Sequence, residues 1–272
     1  MLLKIEWLKL RSNRFFWAGM ILYWLLTILL LSKFGDFEVF GGNPENSANG
    51  ANPFGQSFKA AGFYKLPYIW QNTTWLAGFL KFIPAFLICL FMANEFQYRT
   101  QRQNVIDGLT RSQFYLSKLS GFFLILALCL IPVFLTIIIL SLANNDLSTA
   151  SLWSQADYML ALFAEYLIFT SFTFLLTILF KRSAVAIIVA LSYYYLIELV
   201  IGEQMGRPGK YWLPTYSGHV LIEQPFTRLF KVDSFLGITS PTEVPIDHLL
   251  RAFLYSFLFL TLGFVLIRKR DL

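Results

Sequence analysis

Long apolar runs separated by short polar breaks dominate this chain. Six runs approach or exceed the roughly 20 residues needed to cross the hydrocarbon core of a bilayer: about 15–33, 76–97, 115–142, 156–180, 184–203 and 250–267. Each predicts a membrane-spanning helix, and the third and fourth are long enough to tilt or to project beyond the membrane. Pro84 and Pro132 interrupt the second and third runs. A proline removes a backbone N–H and bends a helix, so a kink is expected at each, with neighbouring helices satisfying the freed carbonyls. The first run is too long for a cleavable signal peptide, and no small-residue cleavage site follows it. The expected architecture is an all-α membrane protein. It forms a single domain over 1–272, with six transmembrane helices, an N-terminal interfacial helix over 1–14 and a short cytoplasmic helix between spans two and three.

The segments between the runs differ. Residues 1–14 place Leu3, Trp7 and Leu10 on one helical stripe and Ile5 and Leu8 on another, with Glu6, Lys9 and Asn13 facing away. Two readings stand: a helix lying in the membrane interface, or a basic flank that only sets orientation. The 34–75 segment carries Gly41-Gly42-Asn43-Pro44 and Asn49-Gly50-Ala51-Asn52-Pro53, which are turn signals. It predicts a largely irregular loop whose aromatic end, Lys65 to Trp75, lies at the membrane interface. In 204–249, Arg207-Pro208-Gly209-Lys210 predicts a turn. Residues 218–236 predict a short helix on the outer surface, in a loop with two readings: a lid or partner-binding surface, or simple packing over the span ends.

Composition fits lipid as the solvent. Hydrophobic residues make up 57% and charged residues 14% of the chain, against about 25% charged in soluble domains. The net charge of +6 is explained by topology. Lys4, Lys9, Arg11 and Arg14 precede span one. Arg99, Arg102, Arg111 and Lys118 lie between spans two and three. Lys181 and Arg182 fill the turn after span four, and Arg268, Lys269 and Arg270 end the chain. All fall on one face of a six-span layout, which places both termini in the cytoplasm and leaves no excess of charge to argue for nucleic acid. Cys89 and Cys129 sit inside apolar runs and read as small buried hydrophobes.

Ionisable side chains inside spans are costly and usually face a partner or a cavity. Lys81, Glu165 and Glu198 are the three such groups, and all fall in the outer half of the bilayer. Two readings stand for them. They form a buried Lys–Glu pair or line a transport path, or they snorkel to headgroups; snorkelling suits Lys81 and Glu198 best, and the deeper Glu165 suits a partnered role. Catalytic and nucleotide-binding signatures do not appear. There is no phosphate-binding Gly-x-x-x-x-Gly-Lys-Ser/Thr loop, no zinc-ligand spacing and no nucleophile elbow. No convincing catalytic set, metal site or cofactor site emerges, and His219 beside Ser217 reads as a coincidence.

The segment between spans two and three is the most informative. Span two ends near Glu95. Polar residues from Gln97 to Asn104 extend it as a short cytoplasmic helix, basic at Arg99 and Arg102. Val105, Ile106 and Leu109 give that helix an apolar side suited to a groove on a soluble partner. Asp107-Gly108 reads as a helix stop, and Thr110 or Ser112 as the cap of the next helix.

This arrangement resembles the permease subunits of ATP-binding-cassette exporters of the ABC-2 type. Their pattern here runs roughly Glu-Phe-x-x-Gly-Thr, then Pro-Val-Ser-Arg, then Lys seven residues on. Glu95, Phe96 and Thr100 match the first part, Arg111 falls eleven residues after Thr100, and Lys118 seven after Arg111. Arg99 replaces the glycine, and Gly108 stands where the proline usually is. A basic amphipathic start, the tight Lys181-Arg182 turn and an Arg-Asp-Leu tail complete the resemblance. It implies a multi-pass, non-enzymatic subunit of a bacterial cytoplasmic membrane, paired with a second permease copy or homologue. It also implies cytoplasmic ATPase subunits that bind the ATP and Mg, and a coupling helix near residues 95–111. The resemblance selects no cargo; the scarcity of charges deep in the spans points to an apolar or amphipathic one. A secondary transporter or a non-transporting scaffold is the alternative.

Overall fold

Asn13 sets the first division of the chain. Its side-chain oxygen accepts hydrogen bonds from the backbone N–H groups of Phe15 and Phe16, 3.1 and 3.2 Å away. This N-cap satisfies donors that a helix start leaves orphaned. It separates α1 (Leu2–Ser12) from α2 (Arg14–Lys33). In the computed structural model the described residues are 2–37, 57–98, 100–106, 108–145, 152–229 and 243–269, without the side chains of Leu2, Arg102, Val105, Arg207, Pro208 and Thr227. The turns expected at Gly41–Pro44 and Asn49–Pro53 and the Arg270-Asp271-Leu272 tail lie outside them.

The described residues form helices and no β-strand. After α2 come α3 (Ile69–Gly78), α4 (Phe82–Gln97), α5 (Thr100–Ile106), α6 (Arg111–Asn144), α7 (Asp157–Phe180) and α8 (Ser183–Ser192). They are followed by α9 (Glu198–Lys210), α10 (Pro214–His219), α11 (Phe226–Leu229) and α12 (Ile246–Lys269). Five stretches are long and apolar enough to cross a membrane, and a sixth is counted if α3 and α4 form one bent span. The chain is therefore a helical membrane protein by length and composition.

The central element is α7, with 72% of its apolar stretch buried against 17% for the Ser183–Gly206 stretch. It packs against α3, α4, α8, α10 and α12. Its C-terminus turns at Lys181, which adopts a left-handed φ of 58° and donates its N–H to the Thr177 carbonyl at 2.8 Å.

Span two differs most from expectation. In its place stand two helices, α3 from Ile69 and α4 from Phe82, bent by 48° across residues 79–81. Gln71, Asn72, Thr73 and Thr74 lie buried in α3. Hydropathy assigns such residues to a loop, but here each has a partner. Thr73 and Thr74 donate to the Ile69 and Trp70 carbonyls, and Asn72 donates to the Phe63 carbonyl. The bend does not arise at Pro84, which lies in the first turn of α4, where a missing N–H costs little. At the break, the Ala77 carbonyl accepts from the Leu80 N–H at 2.9 Å and from the Tyr166 hydroxyl at 2.7 Å, so α7 adds a bond to the turn.

Pro132 follows the expectation more closely. It lies inside α6 and lacks the N–H that would bond the Leu128 carbonyl. The Trp24 indole N–H of α2 donates to that carbonyl at 3.1 Å. The start of α6 carries a capping box in which Thr110 and Gln113 bond each other's backbone N–H groups. The fifth span contains a π-helical turn, Tyr193–Ile197, and its break falls at Gly206, with φ 69°, one residue before the expected turn. The helix expected over 218–236 is instead two short ones, α10 and α11, with 230–236 outside the described residues. The described part of the first long loop is well bonded. The Tyr64 hydroxyl donates to the Leu31 carbonyl, and Asn145 bonds the backbone of Tyr64 and Leu66.

Candidate functional site

Two buried charge clusters stand at opposite ends of the helices. The first joins α1, α4, α5 and α6. Lys118 of α6 is fully buried. Its ammonium donates to Glu6 Oε2 at 2.8 Å and to Glu95 Oε1 at 2.5 Å. Ser117 Oγ donates to Glu6 Oε1 at 2.6 Å. Lys9 Nζ reaches Glu95 Oε1 at 3.1 Å and Glu6 at 4.0 Å. Thr100 Oγ1 donates to Glu95 Oε2 at 2.6 Å, and Asn104 Nδ2 reaches the same oxygen at 3.5 Å. The Lys118 ammonium also lies 4.5 Å from the centre of the Phe91 ring. Two carboxylates thus face two ammonium groups, and every carboxylate oxygen has a donor. A buried charge is tolerated on those terms.

This cluster explains the Glu95-to-Thr100 spacing. The helix breaks after Gln97 and restarts at Thr100, so the polar stretch is not a continuation of span two. Glu95 bonds the first residue of α5 and holds the short helix against the end of α4. Gly108, with φ 101°, turns the chain from α5 toward α6, a backbone conformation open to glycine. Arg111 donates to the Arg268 carbonyl at 3.1 Å and ties the start of α6 to the end of α12.

The second cluster sits at the break in span two. Lys81 Nζ donates to Glu165 Oε1 at 2.9 Å and to the Tyr194 hydroxyl at 3.1 Å. The side chains of Lys81 and Glu165 are each 4% exposed. His219 Nδ1 lies 3.6 Å from the same Glu165 oxygen. Gly78 permits this approach, since a β-carbon there would stand 2.9 Å from Glu165 Oε2. Gly218 similarly lets α10 press on α7, where a β-carbon would lie 2.6 Å from Ile168 Cγ2. A cavity of about 210 Å3 opens beside the cluster, lined among others by Trp75, Phe79, Phe82 and Tyr195.

Glu198 belongs to neither pair. Its carboxylate accepts from the Thr215 N–H at 2.8 Å and from the Thr215 hydroxyl. Thr215 lies in the first turn of α10, so Glu198 satisfies an orphaned N–H and complements the positive end of that helix.

The sequence places most of this chain in a known family. The chain belongs to the DUF2705 family. The match covers residues 46–272, and the family is described as a protein of unknown function. No curated protein matches the chain. The DUF2705 match spans the whole second cluster. The first cluster draws Glu6 and Lys9 from ahead of it.

Several sequence-based expectations change at this point. Snorkelling does not occur at Lys81 or Glu198, because both side chains are buried and bonded inside the protein. The Lys81–Glu165 pair does form. Glu95 and Lys118 do not present a surface: both are buried and face each other. Phe96 packs against the core, and Thr100 is turned toward Glu95. Ile106 stays on the outside, 83% exposed, with Gly108 beside it. Arg99 and Asp107 lie outside the described residues, as do the side chains of Arg102 and Val105. Sequence reasoning missed Glu6 as the partner of Lys118, 112 residues away. Tyr194 was missed as well, and His219 was set aside. The available signal for Glu6 was a single acid in an otherwise apolar and basic helix.

Proposed function

We propose that this DUF2705 chain is the membrane-spanning permease subunit of an ATP-driven exporter of the ABC-2 type. In this reading it spans a bacterial cytoplasmic membrane six times, with α3 and α4 counted as one bent span and both termini in the cytoplasm. It acts with a second permease copy or homologue and with separate cytoplasmic ATPase subunits that hold ATP and Mg. The cargo is apolar or amphipathic, and the chain itself carries out no catalysis.

One observation carries the reading. A seven-residue helix, α5, stands between two membrane helices with Ile106 turned outward, while Glu95, Thr100 and Asn104 hold it from below. An exposed apolar residue on a firmly seated helix suits insertion into a groove on another protein. The Glu6–Lys118–Glu95 bonds connect α5, through Glu95 of α4, to α1 and α6, so a push on α5 is passed to α4, α1 and α6 at once. Motion of this kind requires the partner to bind two states of the helix differently. A secondary transporter working alone is the second reading, favoured by the charged pair at the break in span two.

Affinity purification of the full chain from detergent-solubilised membranes, at native expression, tests the proposal. The expected result is a stoichiometric ATPase bearing a phosphate-binding loop, lost in Ile106→Asp while the variant still inserts. A chain that purifies alone overturns it.

A further inference from the structure

The cavity at the broken span has a chemistry of its own. It amounts to about 210 Å3, room for roughly seven waters at about 30 Å3 each. Its polar groups are mostly donors. Lys81 spends two of its three N–H groups on Glu165 and Tyr194. Tyr194 accepts from Lys81 and keeps its own hydroxyl proton to donate. The half-exposed His219 ring, 44% accessible, contacts Glu165 through Nδ1 alone; its Nε2 donates to a ligand in the imidazolium form, where both ring nitrogens carry protons. Lys81 and His219 both engage Oε1 of Glu165, while Oε2 stands against Gly78. Glu165 lines the same cavity and balances the ammonium, and a ligand entering here meets the third N–H of Lys81 and the Tyr194 hydroxyl, donors suited to an anionic oxygen.

The rim has the opposite character. Phe79 and Tyr195 line the cavity and are each more than half exposed. Beyond Tyr195, Leu196, Leu199 and Val200 continue an exposed apolar face. A second cavity of about 260 Å3 shares Tyr194, Tyr195 and His219 and extends toward Glu198 and Lys210. Tyr194 and Tyr195 belong to the π-helical turn, a local widening that recurs at functional sites.

We propose that the cavity beside Lys81 binds the anionic head of an amphipathic molecule. A carboxylate or phosphate faces Lys81, Tyr194 and His219, and the apolar part lies over Phe79 and Tyr195. The site goes beyond the exporter reading and does not depend on it, since binding needs no ATPase. When Lys81 turns toward the ligand, His219 remains beside Glu165 and keeps that carboxylate from being left without a partner.

The test uses the full chain in an uncharged maltoside detergent, titrated by calorimetry with dihexanoyl phosphatidic acid. Dihexanoylglycerol, which has the same chains without the charge, and inorganic phosphate are titrated in parallel. Saturable binding of the phosphatidic acid is expected, with each control at least about tenfold weaker, the size of one lost hydrogen bond to a charged group. Tyr194→Phe and His219→Gln, which preserve the shape of the site, should each weaken binding by a similar factor. The double variant Lys81→Met/Glu165→Met removes both charges together and should abolish binding without stranding a carboxylate. Equal affinity for dihexanoylglycerol, or unchanged affinity in Tyr194→Phe and His219→Gln, overturns the proposal. Inorganic phosphate binding as tightly as the phosphatidic acid also overturns it, because the site would then take a small anion alone.

Discussion

The two buried clusters use the same chemistry to different ends. Around Lys118 the protein gives every carboxylate oxygen a donor: Ser117 and Lys118 serve Glu6, while Lys118, Lys9, Thr100 and Asn104 serve Glu95. Open space adjoins both clusters, about 510 Å3 beside Lys9 and Glu95 and about 210 Å3 beside Lys81, but around Lys81 the same kind of ion pair has only a half-exposed histidine as its further partner to the carboxylate. A saturated cluster fixes helices relative to one another. An unsaturated one keeps capacity for something that arrives. The exporter reading assigns the first to transmission and the ligand proposal assigns the second to recognition.

The largest effect should come from Lys118→Met. It leaves Glu6 and Glu95 buried together with only Lys9 between them, and should cost about 3–5 kcal/mol. Thermal unfolding in detergent reads this as a large fall in melting temperature. Lys81→Met should cost less, about 2 kcal/mol, because His219 and water in the cavity still reach Glu165. Equal losses for the two variants would erase the distinction between a saturated and an open cluster. Gly78→Ala sharpens the comparison from the backbone side. Its new β-carbon meets Glu165 Oε2 at 2.9 Å and should cost about 1–3 kcal/mol, with ligand binding weakened alongside. Unaltered stability and binding in Gly78→Ala would show that Glu165 is not confined as described. The smallest effect belongs to Lys9→Ala. Lys9 is 38% exposed, so its loss should cost under about 1 kcal/mol and the cost should shrink as salt is raised.

Much of the architecture was legible because lipid imposes a length and a hydropathy on each span. The spans at Arg14–Lys33, Asp157–Phe180 and Ile246–Lys269 fall within a few residues of their apolar runs. The break at residues 79–81 was not legible. The signal for its first half is polar, Gln71 to Thr74, and only tertiary partners such as Phe63 and Arg228 make those residues fit a buried helix. The second cluster was half legible: Lys81 and Glu165 stood out as charges in apolar runs. His219 did not, because its role depends on α10 lying against α7. The first cluster shows how spacing can mislead. Glu95, Thr100 and Lys118 match a pattern tied to partner contact, yet they bond one another inside the protein. Glu6, which completes the cluster, lies far away in sequence, where no local pattern reaches.

The most direct test of the exporter reading is ATP turnover. The co-purified ATPase should be assayed in nanodiscs with the wild-type chain, with Ile106→Asp and without the chain. The account predicts turnover that depends on the chain and falls several-fold in Ile106→Asp, with the variant still folded and inserted. Turnover that is identical in all three preparations contradicts it.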